Sequence, residues 1–208
     1  MAGKYYVIEG QDGTGKSTQV EMLAVFLRKL GKQVVTMHEP DGDLPSAKLL
    51  RTIIKDKQYD LDPHTYVLLL TAARNELWRK LAEPCLAEDG IVISARNWWS
   101  TLAYQGYGQG IDLDLIRYTT TSYLPARYLT PDYSVILTLD ERERIRRLAD
   151  RDANSSKDAF ESKSDEFQNI VTNSYLDIAD EQGVLTLDAS PPALEVHKRI
   201  LSLFDLTP

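Results

Sequence analysis

The stretch Gly10-Gln11-Asp12-Gly13-Thr14-Gly15-Lys16-Ser17-Thr18 constrains this chain more than any other. It fits the pattern G-x-x-x-x-G-K-[ST], a loop whose backbone N–H groups surround phosphate oxygens while its lysine reaches the outer phosphates and its hydroxyl faces Mg²⁺. A glycine-bearing turn ahead of an ordinary helix would satisfy the same pattern, so the flanks decide. Lys4-Tyr5-Tyr6-Val7-Ile8-Glu9 is rich in aromatic and β-branched residues and reads as a strand. From Thr18 to Leu30, apolar residues recur at Val20, Leu23, Ala24, Leu27 and Leu30, a helical spacing. Strand, loop and helix in that order are what polyphosphate binding needs. Gly13 and Gly15 let the main chain turn tightly around an oxyanion, and the helix N-terminus adds unpaired N–H groups and the positive end of its dipole.

The rest of the chain alternates strand-like and helix-like periods, the pattern of an α/β protein with a mainly parallel sheet. Further strands are expected at Gln33–Met37, Gly90–Ser94, Tyr133–Leu139 and Val184–Leu187, making five with the first. The third, short and continuously apolar, is expected at the centre. Helices are expected at Ser46–Lys57, Pro63–Glu88, Asp112–Leu124, Glu141–Arg151, Phe167–Asp180 and Pro192–Phe204. In the long second one, Leu68, Leu69, Ala72, Ala73, Leu77 and Leu81 are expected to face inward. Around 150–164 the chain becomes polar, with few apolar anchors, and reads as a small lid. No linker separates these elements, so residues 1–208 are expected to form one domain.

Composition narrows the partners. With 24 Lys+Arg against 31 Asp+Glu, the net charge of −7 argues against a broad nucleic-acid or membrane surface, so anionic ligands must meet local basic clusters. A single cysteine, Cys85 among Leu81, Ala82 and Leu86, suits a reducing cytoplasm and a buried thiol. His38, His64 and His197 are scattered without metal-ligand spacing. The Asp140-Glu141-Arg142-Glu143-Arg144 run reads as a solvated helix start with paired charges.

Several stretches together resemble the thymidylate kinase family of nucleoside monophosphate kinases. They are Ile8 to Thr18, Glu39-Pro40-Asp41-Gly42, Thr71-Ala72-Ala73-Arg74, Ser100-Thr101-Leu102-Ala103-Tyr104-Gln105-Gly106, Pro131-Asp132, Asp158-Ala159-Phe160-Glu161 and Asp188-Ala189-Ser190, in family order over nearly the whole chain. The resemblance implies the phosphate-loop kinase fold: a five-stranded parallel sheet flanked by helices, with a small lid. It implies ATP- and Mg²⁺-dependent phosphorylation of dTMP to dTDP by a cytoplasmic homodimer. ATP would be held by Gly10 to Thr18, with Ser17 on the metal, and by Arg147 and Ala189 around the adenine. The acceptor would be met by Asp12 at its 3′-hydroxyl, Arg96 at its phosphate, Arg74 and Thr101 at the base, and Tyr104 by the sugar. Glu39, Pro40, Leu70 and Gln105 would complete that pocket. Lys16, Arg96 and Arg151 would carry the transfer.

This chain also departs from the family pattern. Where relatives have Asp-Arg after the third strand, it has Ala95-Arg96, which leaves Asp41 or Glu39 to supply a carboxylate near the metal. The aromatic that stacks on thymine in relatives is Leu70 here, and Trp98 or Trp99 either compensates or packs in the core. Ala159 stands where the lid motif has arginine, and Gly13 where some phosphate loops do, so Arg151, Arg147, Lys157 or Lys163 would supply the missing charge, with Arg151 preferred. These changes leave open a related kinase with an altered base preference, or a nucleotide-binding protein with weakened catalysis.

Overall fold

The computed structural model describes residues 3–42, 44–152 and 159–206. Its sheet has five strands: β1 Lys4–Gly10, β2 Val34–His38, β3 Ile91–Ala95, β4 Tyr133–Thr138 and β5 Leu185–Asp188. All neighbours run parallel in the order β2-β3-β1-β4-β5. The helices are α1 Lys16–Lys29, α2 Pro45–Lys55, α3 Pro63–Leu77, α4 Glu83–Ala87, α5 Trp99–Thr101, α6 Leu113–Tyr123, α7 Ala126–Leu129, α8 Glu141–Asp152, α9 Asp165–Gln182 and α10 Ala193–Leu203.

Side chains that alternate along each strand separate the core into two layers. Tyr5 and Val7 of β1, Val92 of β3 and Ile136 of β4 pack on one face, with α3, α9 and Trp78, Trp99 and Tyr128. Tyr6 and Ile8, Ile91 and Ile93, Val135 and Leu137 point to the other face, against Val20, Leu23 and Leu27 of α1 and Val196 and Ile200 of α10. Continuous apolar runs therefore lie where both faces are covered. β3 is buried along its whole length between β2 and β1, whereas the edge strand β5 is mostly exposed.

The strand order also places the site. From β1 the chain crosses to β2 on one side, and from β3 it crosses over β1 to β4 on the other. The carboxyl ends of β1 and β3 thus flank the point where the connections diverge, and a crevice opens there. The Gly10–Gly15 loop leaves the first of these ends and Arg96 leaves the second.

The expected helix Pro63–Glu88 is broken. After Leu77, a π-helical turn spans Trp78–Ala82, in which Glu83 N–H bonds back to the Trp78 carbonyl. Pro84 follows and cannot donate to the carbonyl four residues earlier, so the wider turn absorbs the mismatch. The inward face differs too. Tyr66, Val67, Leu70, Thr71, Ala73, Arg74 and Leu77 are buried, while Leu68 is 58% exposed and Ala72 faces out. The inward stripe contains two polar residues satisfied inside the fold: Thr71 Oγ1 donates to the Val67 carbonyl and Arg74 is fully bonded below. A count of apolar residues therefore misplaces its phase.

Trp98 and Trp99 belong to the core cluster on the α3–α9 face. Of the expected lid, Lys157 and Asp158 lie with the rest of 153–158 outside the described residues. Asp150 and Arg151 belong to α8, and 159–164 forms turns leading into α9. Among the described residues, no helix is long and apolar enough to cross a membrane.

Because α1 must pack flat on the sheet to hold the loop at its N-terminus, its buried residues carry stability that its outer face does not. Leu23→Ala, at a site with 0% exposure, should cost about 2–5 kcal/mol in urea denaturation. Val25→Ala on the exposed face should change it by less than about 0.5 kcal/mol.

Candidate active site

Main-chain geometry sets up the loop after β1. Gly10 has φ 136°, and a Cβ there would stand 2.3 Å from the Leu137 carbonyl oxygen, so no side chain fits. Gly15, at φ 91°, is the N-cap of α1. Lys16 is buried, and its Nζ donates to the Gln11 carbonyl at 2.8 Å across the loop. Burial, followed by the nearby Arg96 charge, lowers its pKa from the usual lysine range to about 7.

Opposite the loop, Arg96 takes φ 74°, a left-handed conformation that costs a non-glycine residue about 1–3 kcal/mol unless its surroundings impose it. They do here. Arg96 N–H donates to the Ile8 carbonyl at 3.1 Å, and Ser94 Oγ donates to the Arg96 carbonyl at 2.7 Å. The side chain doubles back over the loop, with Nη2 donating to Asp12 Oδ1 at 2.6 Å and Nη1 to Ser100 Oγ at 2.8 Å, Tyr175 Oη at 3.2 Å and the Gly10 carbonyl at 3.3 Å. Asp12 Oδ2 accepts from Tyr104 Oη at 3.1 Å, and the Arg96 guanidinium lies 5.5 Å from the centre of the Tyr104 ring. Burial works against the Asp12 charge, but Arg96 and then Lys16 overcome it and hold its carboxyl well below the usual range.

Beneath this cluster lies Glu9, with 0% exposure. Its Oε1 accepts from Asn97 N–H at 2.9 Å and from Ser100 N–H and Oγ at 3.1 and 2.8 Å. Its Oε2 accepts from Gly10 N–H at 2.8 Å and Tyr175 Oη at 3.1 Å. A second buried carboxylate, Glu39, follows β2 at a cis Glu39–Pro40 bond. It accepts from Arg74 Nε at 2.9 Å and Tyr128 Oη at 2.7 Å, and burial pushes its pKa up to about 7 against the pull of both partners.

Two connected hollows surround these groups. The larger, about 650 Å³, runs from Asp12–Thr18 past Ala95 and Arg96 to Arg147, Arg151 and the Ala189–Ala193 loop. The smaller, about 100 Å³, is bounded by Pro40, Ile54, Leu70, Arg74, Tyr104, Gln105 and Phe160. Both are lined by Asp12, Glu39, Arg51, Lys55 and Arg96, so they meet at the Asp12–Arg96 pair. Arg147 donates from Nε to Glu143 at 2.8 Å and from Nη2 to the Ala189 carbonyl at 3.0 Å, clamping the far end of the larger hollow. Arg151 reaches Glu161 Oε1 at 2.5 Å and so ties the end of α8 to the segment before α9.

Several residues sit elsewhere than the sequence suggests. The Gln11 side chain turns away from the hollow to α9, donating to the Gln168 carbonyl and Oε1 and accepting from Thr172. Thr101 is behind Arg74 and lines neither hollow; its Oγ1 accepts from Arg74 Nη1 at 2.6 Å, while Nη2 donates to the Asn97 carbonyl at 2.9 Å. Asp41 lies outside both hollows, and its carboxylate pairs with Arg51 Nε at 3.0 Å. It does not occupy the place vacated by a carboxylate at Ala95. Lys163 is exposed and off the hollows. Trp98 and Trp99, being core, do not stand in for an aromatic at Leu70. In the charged run, Arg144 is not solvated: it is 4% exposed, paired with Glu141 and packed beneath Gly13.

Glu9, Arg51, Lys55, Tyr175 and Phe160 join the site although none was given a role from the sequence, Glu9 and Phe160 having appeared only within the stretches that carry the resemblance. Glu9 carried one signal, a carboxylate in an otherwise apolar buried strand. Arg51 and Lys55, four residues apart on α2, share a helix face.

A parallel sheet in this order, a phosphate-binding loop after β1 and a second pocket meeting it at an arginine define a nucleoside monophosphate kinase of the phosphate-loop class. Comparison with known proteins narrows the class. Residues 8–200 match the family model described as thymidylate kinase. The thymidylate kinase of Chlorobium luteolum is 36% identical over 201 residues, covering 93% of this chain and 92% of that protein. That of Dehalococcoides mccartyi is 36% identical over 198 residues, covering 94% and 92%. The crystal structure of thymidylate kinase from Ehrlichia chaffeensis superposes with a TM-score of 0.77 at 27% identity, covering 97% of this chain and 98% of that one. The chain belongs to the thymidylate kinase family.

The lowered pKa of Lys16 has a measurable consequence. Above pH 7 the free protein holds this amine partly neutral, and a polyphosphate brought against it raises its pKa again. ATP binding at pH 8 should therefore take up a fraction of a proton, seen as buffer-dependent heat in calorimetry. The uptake should vanish near pH 5.5, where Lys16 is already charged, and in Lys16→Met.

Proposed function

We propose that this protein transfers the γ-phosphoryl group of ATP to dTMP, giving ADP and dTDP. The observation that carries the reading is the meeting of the two hollows at Asp12 and Arg96, beside Lys16. A polyphosphate held over the loop in the larger hollow and a monophosphate in the smaller would bring their reacting ends to the same place. An oxygen of the dTMP phosphate attacks the γ-phosphorus, the bond from that phosphorus to the bridging oxygen breaks, and the electron pair stays on the β-phosphate of ADP. A phosphate monoester is already anionic at neutral pH, so the protein's task is to bring two anions together in line.

Each residue has a part in that task. The loop amides that line the larger hollow, Gly13 and Gly15 to Thr18, and the Lys16 ammonium hold the donor phosphates, while Arg147 and the Ala189 loop border the adenine. Arg96, already fixed by Asp12, Ser100 and Tyr175, presents its guanidinium to the acceptor phosphate, and Arg51 and Lys55 add charge beside it. Arg151 offers a charge to the migrating group. Arg74, Leu70, Pro40 and Gln105 surround the base, Tyr104 the sugar, and Glu39 holds Arg74 in place.

The residues present fit Mg²⁺ of the water-rich kind. Ser17 is exposed and lines the hollow, and no cluster of three or more His, Cys, Asp or Glu side chains forms a protein cage among the described residues. Ser17 would hold the ion, which when bound neutralises charge on the donor phosphates. With Ala95 at the end of β3 and Asp41 paired with Arg51, Ser17 would hold the ion without a carboxylate from either position.

The same reading takes residues 1–208 as one kinase domain acting in the cytoplasm as a homodimer. Supporting the dimer, Leu68 on α3 and Leu115, Tyr118 and Tyr123 on α6 are exposed, and a shallow apolar groove between the helices is lined by Leu68, Ala72, Thr119 and Tyr123.

Two measurements test these proposals. In a coupled assay of ADP formation with ATP, Mg²⁺ and each nucleoside monophosphate in turn, dTMP should be the preferred acceptor. Arg96→Ala should lower its kcat/KM by roughly 10² or more, and a different preferred base would redirect the reading to a related nucleotide kinase. Sedimentation should give twice the chain mass, and Leu68→Glu with Tyr118→Glu should give the monomer; a monomeric unmodified protein would remove the dimer.

A further inference from the structure

The smaller hollow contains an aromatic ring supplied from outside α3. Its apolar lining is Pro40, Ile54, Leu70, Tyr104 and Phe160, so among the described residues only two rings face it. Tyr104 is committed to the phosphate side, with its hydroxyl on Asp12 and the Arg96 guanidinium 5.5 Å from its ring centre. Phe160 is placed differently. Its ring stands edge-on to Tyr66 at 4.9 Å and to Tyr104 at 5.7 Å, with interplanar angles of 60° and 83°, and it packs with Ile54 and Leu70.

The main chain is pinned as well. Gln168 Nε2 donates to the Phe160 carbonyl at 2.9 Å, and Ala159 N–H donates to the Lys55 carbonyl at 3.3 Å. Gln168 in turn accepts from Gln11 of the phosphate loop at its carbonyl and its Oε1. The segment that carries the ring is therefore held by both helix α2 and the start of α9, in a pocket whose polar lining includes Arg74 and Gln105 as well as Asp12, Glu39, Arg96 and Ser100. A flat ring with hydrogen-bonding edges, the shape of a pyrimidine, needs such an arrangement: an aromatic or apolar wall for its face and fixed donors for its edge.

We propose that Phe160 is the aromatic wall against which the base of the acceptor nucleotide packs, and so a specificity-determining residue of this enzyme. Leu70 supplies only an aliphatic surface to the pocket, and the tryptophans after β3 are in the core. The proposal rests on the reading of the smaller hollow as the acceptor site. It assigns the aromatic contact to the segment ahead of α9, with Leu70 and Arg74 of α3 keeping their places around the base.

Calorimetric titration of the full chain with dTMP and, separately, with ATP tests it, using Phe160→Ala, Phe160→Leu and Phe160→Tyr. Phe160→Ala should weaken dTMP binding by about 10-fold and Phe160→Leu by several-fold, while Phe160→Tyr stays within about threefold of the parent. ATP affinity should be unchanged in all three, which also shows that they are folded; if Phe160→Ala does not fold, Phe160→Leu decides. A parent protein that binds dTMP with variants that bind it equally well overturns the role of Phe160 and leaves the acceptor site standing. A parent that binds ATP but no dTMP overturns both.

Discussion

The site depends on a carboxylate that lines neither hollow. Glu9, at the end of β1, is wholly buried and collects hydrogen bonds from the loop that follows it, from the turn after β3 and from Tyr175 on α9. A buried charge without donors would be expensive, so each of these segments is compelled to bring one. Three elements distant in sequence are thereby locked around one atom group. The left-handed backbone at Arg96 follows from that lock. Its neighbour Asn97 must aim its N–H at Glu9 while the Arg96 side chain turns back toward Asp12, and the strain is held by bonds on both sides.

On this scaffold the chain builds a strongly cationic hollow inside an acidic protein. The net charge of −7 belongs to the surface, whereas Lys16, Arg51, Arg96, Arg147 and Arg151 converge on the crevice. Such focusing attracts polyanions to one place without making the whole surface sticky. The arginines are not loose. Each is held by an acid or a carbonyl, Arg51 by Asp41, Arg96 by Asp12, Arg147 by Glu143 and the Ala189 loop, and Arg151 by Glu161. Positions fixed in advance reduce the reorganisation needed when phosphates arrive, the general requirement for electrostatic catalysis.

The departures at Ala95 and Leu70 are local and leave this framework intact. Ala95 is buried at the end of β3, where it packs with the core on the α1 face and also lines the larger hollow. Leu70 remains on the inward face of α3 beside Ile54 and Tyr66, where an aliphatic side chain closes the pocket floor. Arg74, one turn on, keeps its place because Glu39, Thr101 and the Asn97 carbonyl hold it from three sides.

The amino-acid sequence by itself determined the α/β architecture, the five strands, the phosphate loop and the family. Those features are written locally: alternating period, glycine spacing and a contiguous motif report the backbone around them. It also pointed to Lys16, Asp12, Arg74, Arg96 and Tyr104, which the fold brings to the two hollows. Only the tertiary structure decided that Thr101 and Gln11 serve as anchors, that Asp41 is spent on Arg51, that Arg144 is buried beneath Gly13 and that Phe160 faces the smaller hollow. Periodicity misjudged α3 because its inward stripe contains a threonine, satisfied by the Val67 carbonyl one turn back, and an arginine, satisfied by groups far along the chain. A side chain's partner is set by which segments the sheet order brings together, and that convergence is not encoded in any single stretch of residues.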